Sequence, residues 1–503
     1  MSEQGNRPWW WWAGVLLAVA VGISLLVRLG RHDLYTQDTT AIIDGANRSL
    51  ACVREGVFRA CRYHPETSAT DVNPYPLLQY LPATALAALG ASDDLNRNVL
   101  IWGNAAAIAL LVGIVVERGR RLGGVRLAVA AAVAMLTGML LPYAGQSFGE
   151  PLVMLAVVVV CRLAVARRAT PWLLPAAALA TTGKETMFPV VVLFAAGFAL
   201  LGAERGPEAA IVVRRKAVWV LGGVGLGVAA NLAFNVFRFG GTTNVQYLLE
   251  ARPGPAAAVV NTVSLLVAPN GGLLWFWWTA VAALVVVVVA VLAPRLVAGP
   301  AADDPVDRRR LRLGALAVAA GFGVGLVSLG FWWGPFGWYS WGPRLLLPFV
   351  PAVVLAAVEL LGRRPAGEPL PRGWVLAGAA TTAVAVVLLV PALGEVWAPE
   401  SWNVHQVATV AERPACGTVD LRGPEGYGPF HECLMAMAWR TSAMPLVESV
   451  RGATGADPVW FWATVAAAMA AIGFWVAVAR AAPRTSGRAA APRGAGSGDV
   501  DVG

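Results

Sequence analysis

The sequence is poor in charged residues, which make up only 14% of its 503 positions. Soluble domains carry about 25%, so the composition excludes an ordinary soluble protein. The chain instead contains many apolar runs of about 20 residues, the length that crosses the hydrocarbon core of a bilayer. Backbone polar groups inside lipid must be bonded within the segment, so these runs are predicted to be helices. The predicted fold class is all-α, a polytopic transmembrane helix bundle.

Several functional motifs are also missing. There is no GxxxxGK[ST] loop and no GxGxxG opening a βαβ unit, which disfavours an ATP-driven pump. No HExxH pair and no CxxC occur, which disfavours a zinc protease or a zinc site. The four histidines are too few and too scattered to suggest a metal site. No cofactor is predicted, and a requirement for a divalent metal stays open. The net charge of +9 fits basic cytoplasmic loops better than a nucleic-acid partner.

Hydropathy predicts about twelve spans. Basic residues concentrate in alternate loops, which places both termini in the cytoplasm of a cell-membrane protein. Residues 1–480 form the predicted transmembrane domain, and 481–503, rich in Ala, Arg, Gly and Pro, form a disordered cytoplasmic tail. The predicted spans are 9–30, 98–117, 125–142, 151–167, 171–183, 186–203, 218–236, 272–294, 313–331, 344–362, 374–394 and 457–480.

The outward side carries the long loops, at about 31–97, 237–271 and 395–456. Long loops often carry function. The apolar stretch at 73–91 contains three prolines, of which Pro76 and Pro82 argue against a regular helix. It is predicted to lie along the outer face, as an interfacial segment.

The cysteines of the outer loops form two local pairs. Cys52 and Cys61 lie in the first outer loop, and Cys416 and Cys433 lie in the last. On an oxidising side, this spacing predicts the disulfides 52–61 and 416–433. Four free thiols are the alternative.

The stretch "LGRHDLYTQDTTAIIDGA" places carboxylates directly after the first span. Its ragged amphipathic pattern suits a helix on the bilayer surface, which would hold Asp33 or Asp38 at headgroup level. A carboxylate there could take a proton from an attacking hydroxyl. Ordinary solvated loop aspartates are the alternative.

Other outward span ends carry isolated polar groups, and some of these suit a phosphate. A lone ammonium amid apolar sequence is costly unless it is paired or binds an anion, and arginine matches phosphate with parallel hydrogen bonds. An aromatic ring could stack on a sugar or belong to the interfacial belt. The candidate substrate-binding residues are Lys184, Arg344, Arg238, Glu150 and Tyr339.

Four local patterns resemble the GT-C superfamily of polytopic glycosyltransferases, and its mannosyltransferase-like members in particular. They are the acidic stretch "RHDLYTQDTTAIIDG", the Tyr-Pro stretch "NPYPLLQYLPA", the polar turns "FGEP" and "TGKE", and the aromatic turn "WYSWGPRLLLPFVP". The resemblance implies an inverting transfer from a polyprenyl-phosphate sugar on the outer face. It also implies a first-loop aspartate as base and basic residues that hold the lipid phosphate. Asp33 matches the family position closest to the first span. Gln37 stands where the family often has an aromatic residue, which keeps Asp38 as a rival.

The function expected from this resemblance is transfer of a hexose or pentose to an acceptor hydroxyl on a glycan, lipid or protein. Lys184 and Arg344 would contact the phosphate, with Arg238 as a third candidate. A transporter or lipid flippase is the alternative, although carriers usually place polar groups at mid-membrane. A further alternative is an envelope assembly protein that catalyses no reaction.

Overall fold

A computed structural model of the chain describes residues 37–61, 75–144, 149–184, 186–204, 206–243, 253–269, 271–332, 334–337, 342–364, 378–384, 431–436 and 438–439. The predicted spans at 9–30 and 457–480 and the tail at 481–503 lie outside this description. The described residues form helices and turns, with no strand among them.

The elements follow one another as short and long helices joined by tight turns. In chain order they are α1 Gln37–Arg54, α2 Leu77–Ala88, α3 Asp93–Leu136, α4 Leu140–Ala144, α5 Glu150–Ala164, α6 Leu173–Thr182, α7 Met187–Leu201, α8 Pro207–Phe239, α9 Pro255–Val267, α10 Leu273–Phe276, α11 Trp278–Leu292, α12 Pro294–Ala298, a 3₁₀ turn Gly299–Ala302, α13 Pro305–Gly330, a 3₁₀ turn Arg344–Leu346 and α14 Val350–Leu361.

Three helices in the described part of the chain are individually long and apolar enough to cross a membrane: α3, α8 from Glu208, and α13. A fourth candidate is the pair Trp278–Leu292 and Pro294–Ala302, which is bent by 120°. Several helices, among them α6, α7 and α14, are apolar but shorter. The all-α class is therefore confirmed for the described residues.

α3 contains a sharp reversal where the sequence predicts a loop between two spans. Gly123 and Gly124 leave helical geometry, and Gly124 has a φ of +70°, a conformation that favours glycine. A Cβ on Gly119 would lie 2.8 Å from Leu127 O, so the chain folds back tightly.

α2 forms in the segment whose prolines argue against a regular helix. Pro76 precedes its first turn with φ −65°, and Pro82 lies inside it. Asn96 donates a 3.0 Å hydrogen bond to Ala83 O and so fastens α2 to α3. The prolines therefore do not prevent a regular helix here, because Pro82 is accommodated within α2. The place of this segment along the outer face stays a prediction.

Small residues allow the main helices to approach closely. Gly197 on α7 and Gly314 on α13 face each other, and a Cβ on either would lie within 3.0 Å of the other's carbonyl oxygen. Close backbone approach at glycine is typical of helix packing in membranes. α13 also packs on α11, which in turn packs on α14.

Basic residues of the predicted inner loops bind the carbonyl ends of helices. Lys216 Nζ donates to Ala164 O at 2.7 Å, at the end of α5, and Arg312 Nε donates to Val291 O at 2.7 Å, near the end of α11. Cations at helix C-termini satisfy free carbonyls and interact well with the helix dipole.

Candidate functional site

Glu150 begins α5, and its carboxylate is buried at the helix N-terminus. A negative charge is stabilised there by the helix dipole. The preceding Gly149 brings α2 close, because a Cβ at that position would lie 2.1 Å from Cδ of Gln79. Gln79 is itself buried. α2 therefore rests directly against the start of α5.

Lys184 lies in the turn between α6 and α7. Gly183 lets that turn approach the first turns of α5, since a Cβ on it would lie 2.6 Å from Cγ1 of Val153. The Lys184 ammonium nitrogen is buried, and no described residue accepts a hydrogen bond from it. Burial lowers the pKa of Lys184 from 10.5 to about 8; Glu150 opposes this shift and Arg344 adds to it.

Arg344 comes from the Trp-Gly-Pro-Arg turn at the entry to α14. Its Nε lies 3.4 Å from Oε1 of Glu150, and both side chains are buried. Two glycines with positive φ shape the approach, Gly337 at +88° and Gly342 at +65°. A Cβ on Gly337 would lie 3.0 Å from Arg344 Nε, so this backbone covers one side of the guanidinium.

Glu150, Lys184 and Arg344 thus form one three-charge cluster, built by three chain segments far apart in sequence. Its formal charge is +1, and it is removed from water. Burying a cation without a hydrogen-bond partner is expensive, and Lys184 has no such partner among the described residues. The arrangement is suited to an anion with several acceptor oxygens, such as a phosphate.

Arg238 is held by contacts of its own in the last turn of α8. Its guanidinium donates to Tyr75 O at 2.7 Å and to Asn235 Oδ1 at 2.8 Å. It also lies over the rings of Phe234 and Phe239, at 4.1 and 4.6 Å from their centroids. These contacts join the end of α8 to the chain just before α2.

The aspartates and the aromatic candidate are less fully described. Asp33 and Tyr339 lie outside the described residues. Asp38 lies in the first turn of α1, and the structure describes only the backbone of this residue. α1 packs against α2, the helix that contacts Gly149. The catalytic and binding roles of all these residues stay predictions.

One predicted disulfide is confirmed, and only one cysteine of the other lies within the described residues. Cys52 and Cys61 are bonded. Cys433 is disulfide-bonded, whereas Cys416, its predicted partner, lies outside the described residues. Cys161 is free and buried in α5. Within the described ranges no group of three His, Cys, Asp or Glu could hold a metal; the prediction of no cofactor stays a prediction.

The sequence did not predict two contacts, one of Gln79 beside the three-charge cluster and one between Arg118 and Glu359. Gln79 lies within the stretch "NPYPLLQYLPA", but that pattern does not single it out, and only the missing Cβ of Gly149 explains its place. The ion pair between Arg118 and buried Glu359 joins α3 to α14 through two hydrogen bonds, the second 3.0 Å long. Its partners are 241 positions apart, so no local spacing could indicate it.

A hydrolase signature also occurs in the letters "GQSFG" at 145–149, which match GxSxG. That motif forms a nucleophile elbow only between a strand and a helix. Here the chain before it is the helix Leu140–Ala144, and residues 145–148 are not described. The match therefore lacks the structural context of the elbow.

Comparison with solved structures finds ArnT from Cupriavidus metallidurans in two states. The apo form is 17% identical, with a TM-score of 0.40, and the form bound to undecaprenyl phosphate is 16% identical, with a TM-score of 0.37. In both cases 88% of this chain and 79% of the other are covered. No protein-family model matches the chain, and no curated protein matches it. Similarity this distant assigns no activity to the chain.

Proposed function

We propose that this chain is a membrane glycosyltransferase that moves a sugar from a polyprenyl-phosphate donor to an acceptor hydroxyl on the outer face of the membrane. The observation that carries the proposal is the three-charge cluster. It presents a buried ammonium that has no described hydrogen-bond partner, beside a guanidinium and a carboxylate. A donor phosphate would supply the missing acceptors.

The cluster suits the charge change of the transfer step. The acceptor oxygen attacks the anomeric carbon while the bond from that carbon to the phosphate oxygen breaks. The diester phosphate of the donor, with one negative charge, leaves as a monoester that gains a second. Lys184 and Arg344 stabilise this developing charge, and in a site removed from water the stabilisation is stronger than in solvent.

The base in this proposal is Asp33 or Asp38, which takes the proton of the acceptor hydroxyl as the new bond forms. The resemblance to GT-C enzymes implies this role. The position of α1 supports it, because α1 packs on α2 and α2 packs on the start of α5. Tyr339 and Arg238 remain candidate contacts to the sugar or the phosphate.

The proposed orientation has twelve spans with both termini in the cytoplasm. It is supported by the two ends of α5. Glu150 of the cluster begins the helix, and Lys216 binds the carbonyl of Ala164 at its far end. Fifteen residues rise roughly 22 Å in an α-helix. The satisfied cations and the three-charge cluster thus lie at opposite ends, as a positive-inside arrangement requires.

The test is turnover by the full chain in lipid nanodiscs, with a panel of polyprenyl-phosphate hexoses and pentoses. Asp33→Asn or Asp38→Asn should reduce release of polyprenyl phosphate by about 10²- to 10⁴-fold, with donor binding retained. Asp94→Asn is the matched control, because Asp94 also lies in the first turn of a helix and its side chain is 82% exposed. Full turnover in both Asp33 and Asp38 variants would refute the catalytic proposal.

The same preparation tests the transporter or flippase alternative, which no observation on the described residues favours. Reconstituted chain should release polyprenyl phosphate only when an acceptor is present. Movement of the lipid between leaflets without sugar transfer would instead support transport.

A further inference from the structure

The loop closed by the Cys52–Cys61 disulfide lies on the end of α8. We call residues 52–61 the disulfide loop. α8 ends at Phe239, and Gly240 follows with a φ of +78°, its N–H bonded to Val236 O at 2.9 Å. The last carbonyls of a helix have no partner within the helix, and the disulfide loop provides donors for two of them.

Three consecutive residues of the loop donate to the end of α8. Ala60 N donates to Val236 O at 3.3 Å, and Cys61 N donates to Phe237 O at 2.7 Å. Arg59 Nε donates to Gly240 O at 3.1 Å. The loop thus caps the C-terminus of a helix more than 170 positions away in the chain.

The backbone of the loop is strained to make these contacts. Ala60 has a φ of +55°, and it is the one non-glycine residue with positive φ in the described part of the chain. Such a conformation persists only where the surroundings enforce it. Here the enforcing features are the two backbone hydrogen bonds and the covalent bond at the neighbouring Cys61.

The capped turn is linked to the three-charge cluster by direct contacts. Arg238 in that turn holds Tyr75 O, directly before Pro76 and α2. α2 then places Gln79 against Gly149, the residue next to Glu150. A displacement of the end of α8 would therefore be passed to the start of α5 through α2.

We propose that the disulfide loop is a positioning cap: it fixes the last turn of α8 and, through Arg238 and α2, the geometry of the donor site. This inference rests on the proposed function for its effect on donor binding. Reduction by a dithiol would open the cap, as each cysteine sulfur gains one electron and one proton and the reductant becomes a disulfide. The opened loop would then release the strained Ala60 conformation.

The test compares hydrogen exchange and donor binding in the full chain in nanodiscs. In the double variant Cys52→Ala/Cys61→Ala, amides in peptides covering 57–61 and 236–243 should exchange about 10-fold faster or more. The Kd for undecaprenyl phosphate should rise about 3- to 10-fold. Cys161→Ala is the control, because it removes a thiol that is in no disulfide, and it should change neither quantity.

A pair of variants at one position covers the case in which the double variant fails to fold. Ala60→Val should reproduce both effects with the disulfide intact, because a β-branched residue resists positive φ. Ala60→Gly should leave both unchanged, because glycine accepts that conformation.

Unchanged exchange at 236–243 in the double variant and in Ala60→Val would overturn the capping role. Faster exchange with an unchanged Kd would overturn the link to the donor site. If the wild type itself does not bind undecaprenyl phosphate, the proposed function fails, and the exchange measurement still decides whether the loop caps α8.

Discussion

The sharpest prediction concerns Lys184, whose charge is costly in the folded protein. Its pKa is lowered from 10.5 to about 8, chiefly by burial. One pKa unit corresponds to about 1.4 kcal/mol, so keeping Lys184 charged in the absence of an anion costs about 3 kcal/mol. Between pH 8 and 10.5 the unfolded chain binds more protons than the folded one. Stability should therefore rise with pH through that window.

Lys184→Met removes the charge and keeps the length of the side chain. At pH 7, without donor, the variant should gain up to about 3 kcal/mol of folding free energy. It should melt a few degrees higher than wild type in nanodiscs. The same variant should bind undecaprenyl phosphate about 10- to 100-fold more weakly, because a hydrogen bond to a charged group is worth about 1.5–3 kcal/mol.

Lys216→Met is the matched control, since it removes another buried ammonium. Lys216 already donates to Ala164 O and Ala166 O, so its loss should lower the melting temperature and leave the Kd unchanged. The reasoning is refuted if Lys184→Met melts lower than wild type with an unchanged Kd. Lys184 would then be a structural residue like Lys216.

Three further outcomes follow from the same structure. The affinity for undecaprenyl phosphate should fall as pH rises above about 8, because Lys184 loses its proton there. Lys184→Arg should keep its affinity to higher pH, and equal pH profiles of the two proteins would contradict this reasoning. Glu359→Gln should destabilise the protein by about 3 kcal/mol, because it removes the buried counter-charge of the partly buried Arg118. The double variant with Arg118→Met should recover part of that loss in a denaturation assay. Gly337 has a φ of +88°, and a Cβ added to it would lie 3.0 Å from Arg344 Nε. Gly337→Ala should therefore weaken phosphate binding several-fold in a titration. Binding equal to that of the wild type would argue against a fixed guanidinium.

Isolated charges at the ends of apolar segments were the informative signal in the sequence. Lys184 and Glu150 stand next to long apolar runs, and Arg344 follows an aromatic turn. A charge in such a place requires a partner, because lipid and apolar core offer none. This argument predicts that the three side chains share a site, and the structure brings them together. It cannot predict their separations, which depend on three turns.

Contacts between remote segments could not be predicted in the same way. Arg118 looks like an ordinary inner-loop arginine, and Glu359 looks like a charge near the end of a span. Hydropathy describes each segment alone, whereas their pairing depends on how α3 packs on α14. At Pro82 the sequence argument fails for the same reason. A rule for isolated helices argues against a helix here, whereas packing against α3 supports one.

The turns around the three-charge cluster indicate that its cation side is built before a donor arrives. Gly149, Gly183 and Gly337 each allow a contact that a Cβ would obstruct or strain. These contacts fix α2, the Lys184 turn and Arg344 around the first turn of α5. A site whose charges are held by backbone packing needs little rearrangement when the phosphate binds, which favours both affinity and stabilisation of the leaving group. Conformational change during turnover should therefore be concentrated where the acceptor enters, so an acceptor analogue should alter hydrogen exchange in the outer loops more than in α5.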